Sequence, residues 1–404
     1  MPEVVDAARR DFRAANHAVL DDPRVRVEAS DAAHALRGMT ETWDVIVSEP
    51  SNPWVTGMSD LFTREAFEAA RARLRPGGTF GAWFHAYSTD AQTVAAIVET
   101  FRGVFPRATL VEVGAGVDYL LIGGREPWSV DLDLALRRLH GEAPAAMLAR
   151  AGIDTDAALM ARFLSGPRGV AAVAAGGETL RATDLRLEFR APRLLYRDAR
   201  AEVFARFDRV QDLPLAGLVR DAGPGSTWLR LVDGSDPARE AAMHLRRMAI
   251  AEDARDYRAA LAEGELAVGL RPDDLLTRTR LARLYLHRAL HKHRARDSGG
   301  AEADLTTVVE LRPHVAERFR ALVLLCDLAL RRHDARRALA RADEALLIAR
   351  AAGEPAPELY VRRAEALAGL GAPQAAAEAL DRAIDETQDP ARRAALRALR
   401  QGGR

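Results

Sequence analysis

The 404-residue sequence has little cysteine, few aromatic residues and no net charge. Its single cysteine, Cys326, excludes an intramolecular disulfide, and no Cys/His spacing is typical of a zinc site, so we expect no metal. Cys326 stands in the apolar helical run 321–330, which predicts a buried structural thiol rather than a nucleophile. Lys+Arg and Asp+Glu both number 58, and no basic stripe carries interleaved aromatic residues, which argues against nucleic-acid binding.

Long apolar runs are missing as well. No run approaches the roughly 18 residues that a membrane-spanning helix needs, and no signal peptide precedes Pro2. The chain as written is therefore expected to be cytoplasmic, and its length predicts two or three domains.

A short loop after an apolar strand is the most informative segment. The run 45–47 (Val-Ile-Val) predicts a strand, and it ends abruptly in Glu49-Pro50-Ser51-Asn52-Pro53-Trp54. The two prolines keep this loop out of helix and sheet. In an open α/β sheet, ligands bind beyond the carboxyl ends of the strands, so Glu49 is placed for chemistry. The alternative for Glu49 is a solvated loop carboxylate or a helix-cap acceptor.

This loop resembles the acidic strand-end loop of the spermidine synthase (polyamine aminopropyltransferase) family, which usually reads Asp-Ser-Ser-Asp-Pro. More narrowly, the sequence resembles the bacterial branch in which that domain is fused to a transporter-like membrane region. The resemblance covers roughly the first half of the chain. Five further pieces follow the family's order: a helix at 1–10, a strand ending at 30–32 (Ser-Asp-Ala), Arg-Pro-Gly-Gly at 75–78, Trp-Phe-His at 83–85 and a strand pair within 101–124.

The resemblance implies an α/β Rossmann-like, methyltransferase-type sheet that lacks its first two strands. No Gly-x-Gly turn precedes the first predicted strand, so we expect Met1 to be an internal methionine of a longer protein. If that protein belongs to the membrane-fused branch, this chain would be the cytoplasmic part of an inner-membrane protein. The strand at 45–48 then exposes an apolar edge, unless the strand at 25–29 pairs with it. The predicted strands are 25–29, 45–48, 79–83, 109–113 and 119–122, the last two antiparallel.

The family match also implies roles for individual residues. Glu49 takes the place of the catalytic aspartate, with one extra methylene, and Tyr87 is a second catalytic candidate. Ser51, Asn52, Trp54 and His85 are implied to bind the substrate, and Asn52 replaces the family's second acid. The cosubstrate, an S-adenosyl-type nucleoside such as decarboxylated S-adenosylmethionine or methylthioadenosine, is implied to bind at Ser30, Asp31 and Ala32. No permanently bound cofactor is implied.

Structural alternatives exist for several of these residues. Asp31 would equally serve as the N-cap of a helix at 32–37. The indole of Trp54 could pack in the core, and a lone histidine such as His85 is more often structural.

The second half of the chain changes from βα alternation to helix. Residues 129–220 are predicted to be a mostly helical extension of the domain at 1–128. Within this extension, residues 183–193 read Thr-Asp-Leu-Arg-Leu-Glu-Phe-Arg-Ala-Pro-Arg. They resemble a Thr-Asp-Asp-Arg-Pro-x-Leu-Glu-Phe segment found in the same bacterial branch. Residues 221–237 read as a linker. Residues 238–400 resemble tetratricopeptide repeats, with a loop insertion at 292–300.

Three functions are compatible with this sequence. The first is a spermidine synthase-like aminopropyltransferase that acts on a polyamine. The second is a catalytically weak nucleoside-binding scaffold whose repeats bind a peptide or protein partner. The third is an S-adenosylmethionine-dependent methyltransferase. A homodimer is possible in each case, and membrane association would come only from a preceding region.

Overall fold

The computed structural model describes residues 2–50, 52–114, 118–197, 199–208, 212–233 and 237–402. The chain divides into two compact units. The first comprises Met1–Ala146 and Asp154–Asp236, and the second comprises Met147–Ile153 and Pro237–Arg404.

The first unit contains a sheet flanked by helices. Its strands are β1 Trp43–Ser48, β2 Leu74–His85, β3 Thr109–Gly114, β4 Asp118–Gly124 and β5 Phe163–Ser165. Its helices are α1 Pro2–Arg10, α2 Ala32–Gly38, α3 Arg64–Ala72, α4 Ala91–Val104, α5 Leu132–Leu139, α6 Glu142–Arg150, α7 Asp156–Met160, α8 Pro167–Ala174, α9 Arg186–Leu194, α10 Arg200–Asp208 and α11 Thr227–Val232, with 3-10 turns at Val19–Asp21 and Met58–Phe62. Residues 147–150 of α6 belong to the second unit.

The strand order in this sheet is β1-β2-β4-β3-β5. β1 and β2 are parallel, and the other neighbours are antiparallel. The mixed sheet is consistent with the predicted Rossmann-like, methyltransferase-type domain, and the antiparallel pairing of the last two predicted strands is confirmed. The three-residue strand β5 was not predicted, since so short a run carries no alternating pattern.

Aromatic side chains hold one face of the sheet against α3 and α4. Phe80 of β2 lies 5.9 Å from Phe67 of α3 and 5.5 Å from Phe105, which follows α4 directly, measured between ring centroids. Phe101 of α4 lies 5.3 Å from Phe67. All four rings are almost fully buried. Each contributes a large apolar area at a favourable ring spacing, so this cluster is the main core of the unit.

The prediction of a strand at residues 25–29 is wrong. This segment has no regular secondary structure and no strand partner among the described residues, and its side chains are exposed. A strand needs a hydrogen-bonded neighbour, and the edge of β1 that faces away from β2 has none among the described residues. Val45 and Val47 of β1 consequently remain 61% and 62% exposed.

The predicted linker also needs correction, because α11 lies inside it. Ser226 caps this helix, and Trp228 is 7% exposed and donates a hydrogen bond from its indole N–H to the Pro214 carbonyl at 2.7 Å. A buried indole makes residues 227–232 part of the first unit's packing rather than a connecting segment.

The second unit consists of consecutive helices joined by short turns. Adjacent helices pack in pairs across interfaces of buried alanines such as Ala260, Ala301 and Ala338, and Cys326 is buried among them, as predicted. Its helices are α12 Pro237–Asp253, α13 Tyr257–Leu270, α14 Leu275–Arg294, α15 Ser298–Glu310, α16 Val315–Arg331, α17 Ala335–Ala352, α18 Pro357–Gly369, α19 Pro373–Glu386 and α20 Pro390–Gly402.

The loop insertion predicted at 292–300 is wrong. The extra residues lengthen α14 to 20 residues, and only 295–297 separate it from α15. The carboxylate of Asp297 starts the next helix by accepting a hydrogen bond from the Gly300 N–H at 2.8 Å. The assignment of these helices to tetratricopeptide repeats stays a prediction.

None of the helices in the described ranges is both long enough and apolar enough to cross a membrane.

The open edge of β1 predicts that the 404-residue chain expresses poorly and self-associates, because unpaired backbone groups flanked by exposed valines accept strands from other molecules. We expect Val47→Lys to raise the soluble yield and to reduce self-association in light scattering. Leu347→Lys, at a 66% exposed position on α17, is the control and should change neither quantity. A wild-type chain that is monodisperse and melts cooperatively would contradict the prediction.

The second unit should fold from residues 237–402 alone, because each helix packs mainly on its neighbours in sequence. We expect a strongly helical circular dichroism spectrum with a cooperative thermal transition. A spectrum with little helix would show that the helices depend on the first unit.

Candidate active site

Four of the predicted site residues form one contact cluster at the carboxyl end of β2. The His85 ring lies 4.9 Å from the Trp54 ring and 4.2 Å from the Tyr87 ring, measured between centroids. Tyr87 and Trp54 are 6.0 Å apart, and the Tyr87 hydroxyl donates to Oδ1 of Asn52 at 3.0 Å. The loop after β1 and the loop after β2 therefore meet at this point, as expected for the ends of adjacent parallel strands.

His85 is buried and neutral. It is 3% exposed, and its Nδ1 lies 2.6 Å from the Tyr87 carbonyl oxygen, so Nδ1 carries the hydrogen. Burial lowers the pKa of His85 to about 4, although the hydrogen bond to the carbonyl acts in the opposite direction. The other ring nitrogen, Nε2, is left as a buried acceptor without a partner among the described residues.

Asp118 is a site residue that the sequence reasoning missed. It opens β4 and is the direct antiparallel partner of His85, so both side chains lie on the same face of the sheet. Burial and then the charge of Glu49 raise the pKa of Asp118, and its Oδ1 is buried without a hydrogen-bond partner among the described residues. Burial and the Asp118 charge likewise raise the pKa of Tyr87, so the phenol stays protonated near neutral pH. The available signal was an acidic residue directly before the predicted strand at 119–122.

A cleft of about 620 Å³ lies on the other side of Glu49, along the open edge of β1. Ser30, Asp31 and Ala32 line it together with Glu49, so the predicted cosubstrate residues and the predicted base share one cavity. Its walls are otherwise largely apolar, with Val45, Val47, Phe67 and Phe80 among them. This cleft suits a ligand with an apolar or aromatic portion and a polar end.

Asp31 is the N-cap of α2, which was the structural alternative for this residue. Its Oδ1 accepts a hydrogen bond from the His34 N–H at 2.7 Å. The side chain is exposed at the mouth of the cleft, so capping does not remove it from the cavity. Ser51, the remaining predicted substrate residue, lies outside the described residues.

Helix α9 ties together the two loops that carry the site. Glu188 accepts hydrogen bonds from Ser59 Oγ at 2.5 Å and from the Gly57 N–H at 3.2 Å, in the loop after β1. Arg190 binds Asp90 at 2.7 Å, in the loop after β2, and Asp90 also caps α4. Although burial would raise the pKa of Asp90, its hydrogen bonds from Arg190 and Thr93 lower it. The segment 183–193 thus has a positioning role that its sequence alone did not reveal.

The buried neutral histidine makes the first unit sensitive to acid. Its pKa is about 4 when folded and about 6.5 when unfolded, so the unfolded state binds more protons between these values. The contribution of His85 to the free energy of unfolding is therefore fully present above about pH 6.5. It is lost as the pH falls toward 4, and the loss amounts to at most about 3 kcal/mol.

We expect urea unfolding followed by tryptophan fluorescence to show this loss, since all five tryptophans precede residue 237. His85→Gln should abolish that component of the pH dependence. His34→Gln, at an exposed position, is the matched control and should retain it. Identical pH dependence in wild type and His85→Gln would refute this interpretation.

The chain is similar in sequence to known polyamine aminopropyltransferases and to a putrescine N-methyltransferase. A polyamine aminopropyltransferase from Synechococcus sp. is 39% identical over 79 residues, which are 19% of this chain and 25% of that protein. Polyamine aminopropyltransferase 2 from Streptomyces coelicolor is 33% identical over 119 residues, 28% of this chain and 21% of that protein. Putrescine N-methyltransferase 2 from Nicotiana tabacum is 35% identical over 108 residues, 25% of this chain and 29% of that protein.

The chain thus spans about a quarter of the length of these curated relatives. Residues 2–113, which include Asp31, Glu49, Trp54, His85 and Tyr87, match the family model of the spermine/spermidine synthase domain. Residues 2–113 of this chain are therefore a spermine/spermidine synthase domain.

Proposed function

We propose that this protein transfers an aminopropyl group from decarboxylated S-adenosylmethionine to a polyamine. The observation that carries the proposal is the position of Glu49. It stands at the carboxyl end of β1, between a cleft lined by Asp31 and a polar cluster formed by Asn52, His85 and Asp118. This position supports the proposal, because the transfer brings an amine to a carbon of a bound nucleoside and needs a carboxylate between the two.

The reaction defines what the site must do. The acceptor ammonium first loses a proton, and its nitrogen lone pair then attacks the methylene carbon bonded to the sulfonium. The carbon–sulfur bond breaks, its electrons pass to sulfur, and neutral methylthioadenosine leaves. Glu49 attracts the cationic amine and accepts the proton, which makes the carboxylate both the anchor and the general base.

The aromatic cluster supports the same role. Trp54 and Tyr87 are aromatic rings of the kind that attract a cationic amine, and the neutral His85 beside them adds no competing positive charge. Asp31, which also lines the cleft beside Glu49, caps α2 with Oδ1, and its second carboxylate oxygen has no hydrogen-bond partner among the described residues and is proposed to accept from the exocyclic amine of the nucleoside. The mostly apolar cleft walls suit the purine and the thioether.

Glu49→Gln should lower turnover by roughly a hundredfold or more, because the proton acceptor is lost while the shape is kept. Asp31→Ala should weaken nucleoside binding with less effect on the chemical step, since its contact exists already in the ground state. Asn52→Asp should tighten diamine binding by adding a carboxylate. Turnover is measured as methylthioadenosine release, on the 404-residue chain and on any longer product of its reading frame, and nucleoside affinity is measured by calorimetry.

Unchanged turnover in Glu49→Gln would remove this residue from the mechanism. No turnover in any form of the protein, with methylthioadenosine still bound, would instead favour a nucleoside-binding scaffold. In that case the helices of the second unit, as tetratricopeptide-like repeats, would supply the function by binding a peptide or protein partner.

A second candidate is N-methyl transfer to a diamine. The similarity to a putrescine N-methyltransferase favours it, because both reactions bring an amine to a carbon bonded to a sulfonium. Assays with S-adenosylmethionine and with its decarboxylated form, side by side, separate the two activities by the product formed.

A further inference from the structure

We propose that a cavity in the second unit, between α14, α15 and α16, binds a short-chain aliphatic carboxylate. The carboxylate group contacts Arg331 and His293, and the alkyl chain fills the apolar part of the cavity. All of these residues belong to the second unit, so the site does not depend on the transfer reaction proposed for the first.

The cavity has mainly apolar walls. Its volume is about 60 Å³, and it is lined by Leu290, Leu305, Leu324 and Leu328. A single water molecule needs roughly 10–15 Å³ of such space, so the cavity is large enough for a chain of a few carbon atoms. Leucine side chains offer water no hydrogen bonds, so these walls favour an alkyl chain over solvent.

A buried hydrogen-bond donor lines the same cavity. Nη1 of Arg331 lies 3.5 Å from Nε2 of His293. A guanidinium has no acceptor, so Nε2 accepts and the imidazole hydrogen is on Nδ1. Nδ1 of His293 is buried and has no hydrogen-bond partner among the described residues. A buried donor without an acceptor is costly, and a carboxylate oxygen of a ligand would satisfy it.

The charged groups of the lining favour an anion. The Arg331 side chain is exposed and forms no ion pair among the described residues, so most of its five N–H donors are available to a carboxylate. Asp327 also lines the cavity, but Arg362 neutralises it by donating to Oδ1 at 2.5 Å and to Oδ2 at 3.2 Å. The polar end of the cavity therefore carries a net positive charge.

The turns that adjoin Arg331 add to this positive charge. Arg294 and Arg296, at the end of α14, are exposed and form no ion pair among the described residues. The aspartates of the adjoining turns are already used: Asp297 accepts from the Gly300 N–H at 2.8 Å, and Asp334 caps α17. The local field therefore attracts an anion, and the leucine walls select one with an alkyl chain.

The test is a ligand-observed NMR titration of the full chain with butanoate, ethanoate, butan-1-ol and inorganic phosphate. Butanoate should bind roughly tenfold more tightly than ethanoate, because two further methylene groups are buried. Butan-1-ol lacks the charge and phosphate lacks the alkyl chain, so both should bind more weakly than butanoate.

Two variants locate the bound carboxylate. Arg331→Gln should weaken butanoate binding by roughly tenfold or more, since the charge-assisted contact is lost at a side chain that is exposed and need not support the fold. Arg336→Gln removes the same charge from an exposed position near the start of α17 that does not line the cavity. This control should change the affinity by less than about twofold, because the charge of an exposed side chain is screened by salt.

The same chemical group occurs as the side chain of a glutamate, so the peptide acetyl-Gly-Gly-Glu-Gly-Gly-amide is a further arm. Arg331-dependent binding that is tighter for the peptide than for butanoate supports the site with a partner protein as the source of the carboxylate. Arg331-dependent binding that is tighter for butanoate supports it with a free acid as the source.

Three results would overturn the proposal. Equal affinity for butanoate and for ethanoate or phosphate would leave only non-specific attraction of anions. Equal affinity for butanoate and butan-1-ol would leave only an apolar cavity. Neither of these two arms needs a variant to fold. Unchanged butanoate affinity in Arg331→Gln would place the bound carboxylate elsewhere in the chain.

Discussion

The packing of four phenylalanine rings between β2, α3 and α4 is the constraint on which the rest of the first unit depends. Phe67, Phe80, Phe101 and Phe105 are almost fully buried and fix one face of the sheet to its helices. Once that face is fixed, strand alternation places His85 and its partner Asp118 on the opposite face of the sheet. β1 is held in the sheet by its pairing with β2, because no other described strand pairs with it.

Local chemistry was sufficient to predict the loops at the strand ends. An apolar run followed by two prolines predicts a strand that stops, and Glu49 was identified on that basis. The role of Asn52 came from the resemblance to the family's loop. The start of α2 was equally legible, because Asp31 was recognised as a possible N-cap of the helix that follows it. These features depend on residues close together in sequence.

Features that depend on distant partners could not be predicted in this way. Residues 25–29 have the composition of a strand, yet they stay unpaired because a strand exists only beside another. Asp118 was overlooked because its importance comes from its register opposite His85. The length of α14 was misjudged because the polar, basic residues at its carboxyl end are helical and do not form a loop. In each case the residues can be seen in the sequence, but their structural role depends on what they contact in three dimensions.

The salt bridge and hydrogen bonds of α9 have a thermodynamic consequence for ligand recognition. Glu188 is 131 residues from Gly57 in the chain, and Arg190 is 100 residues from Asp90, yet both contacts immobilise loops that border the site. The conformational entropy of these loops is therefore lost when the domain folds and not when a ligand arrives. A substitution in α9 would transfer that entropic cost to the binding step, and affinity would fall although no ligand contact had changed.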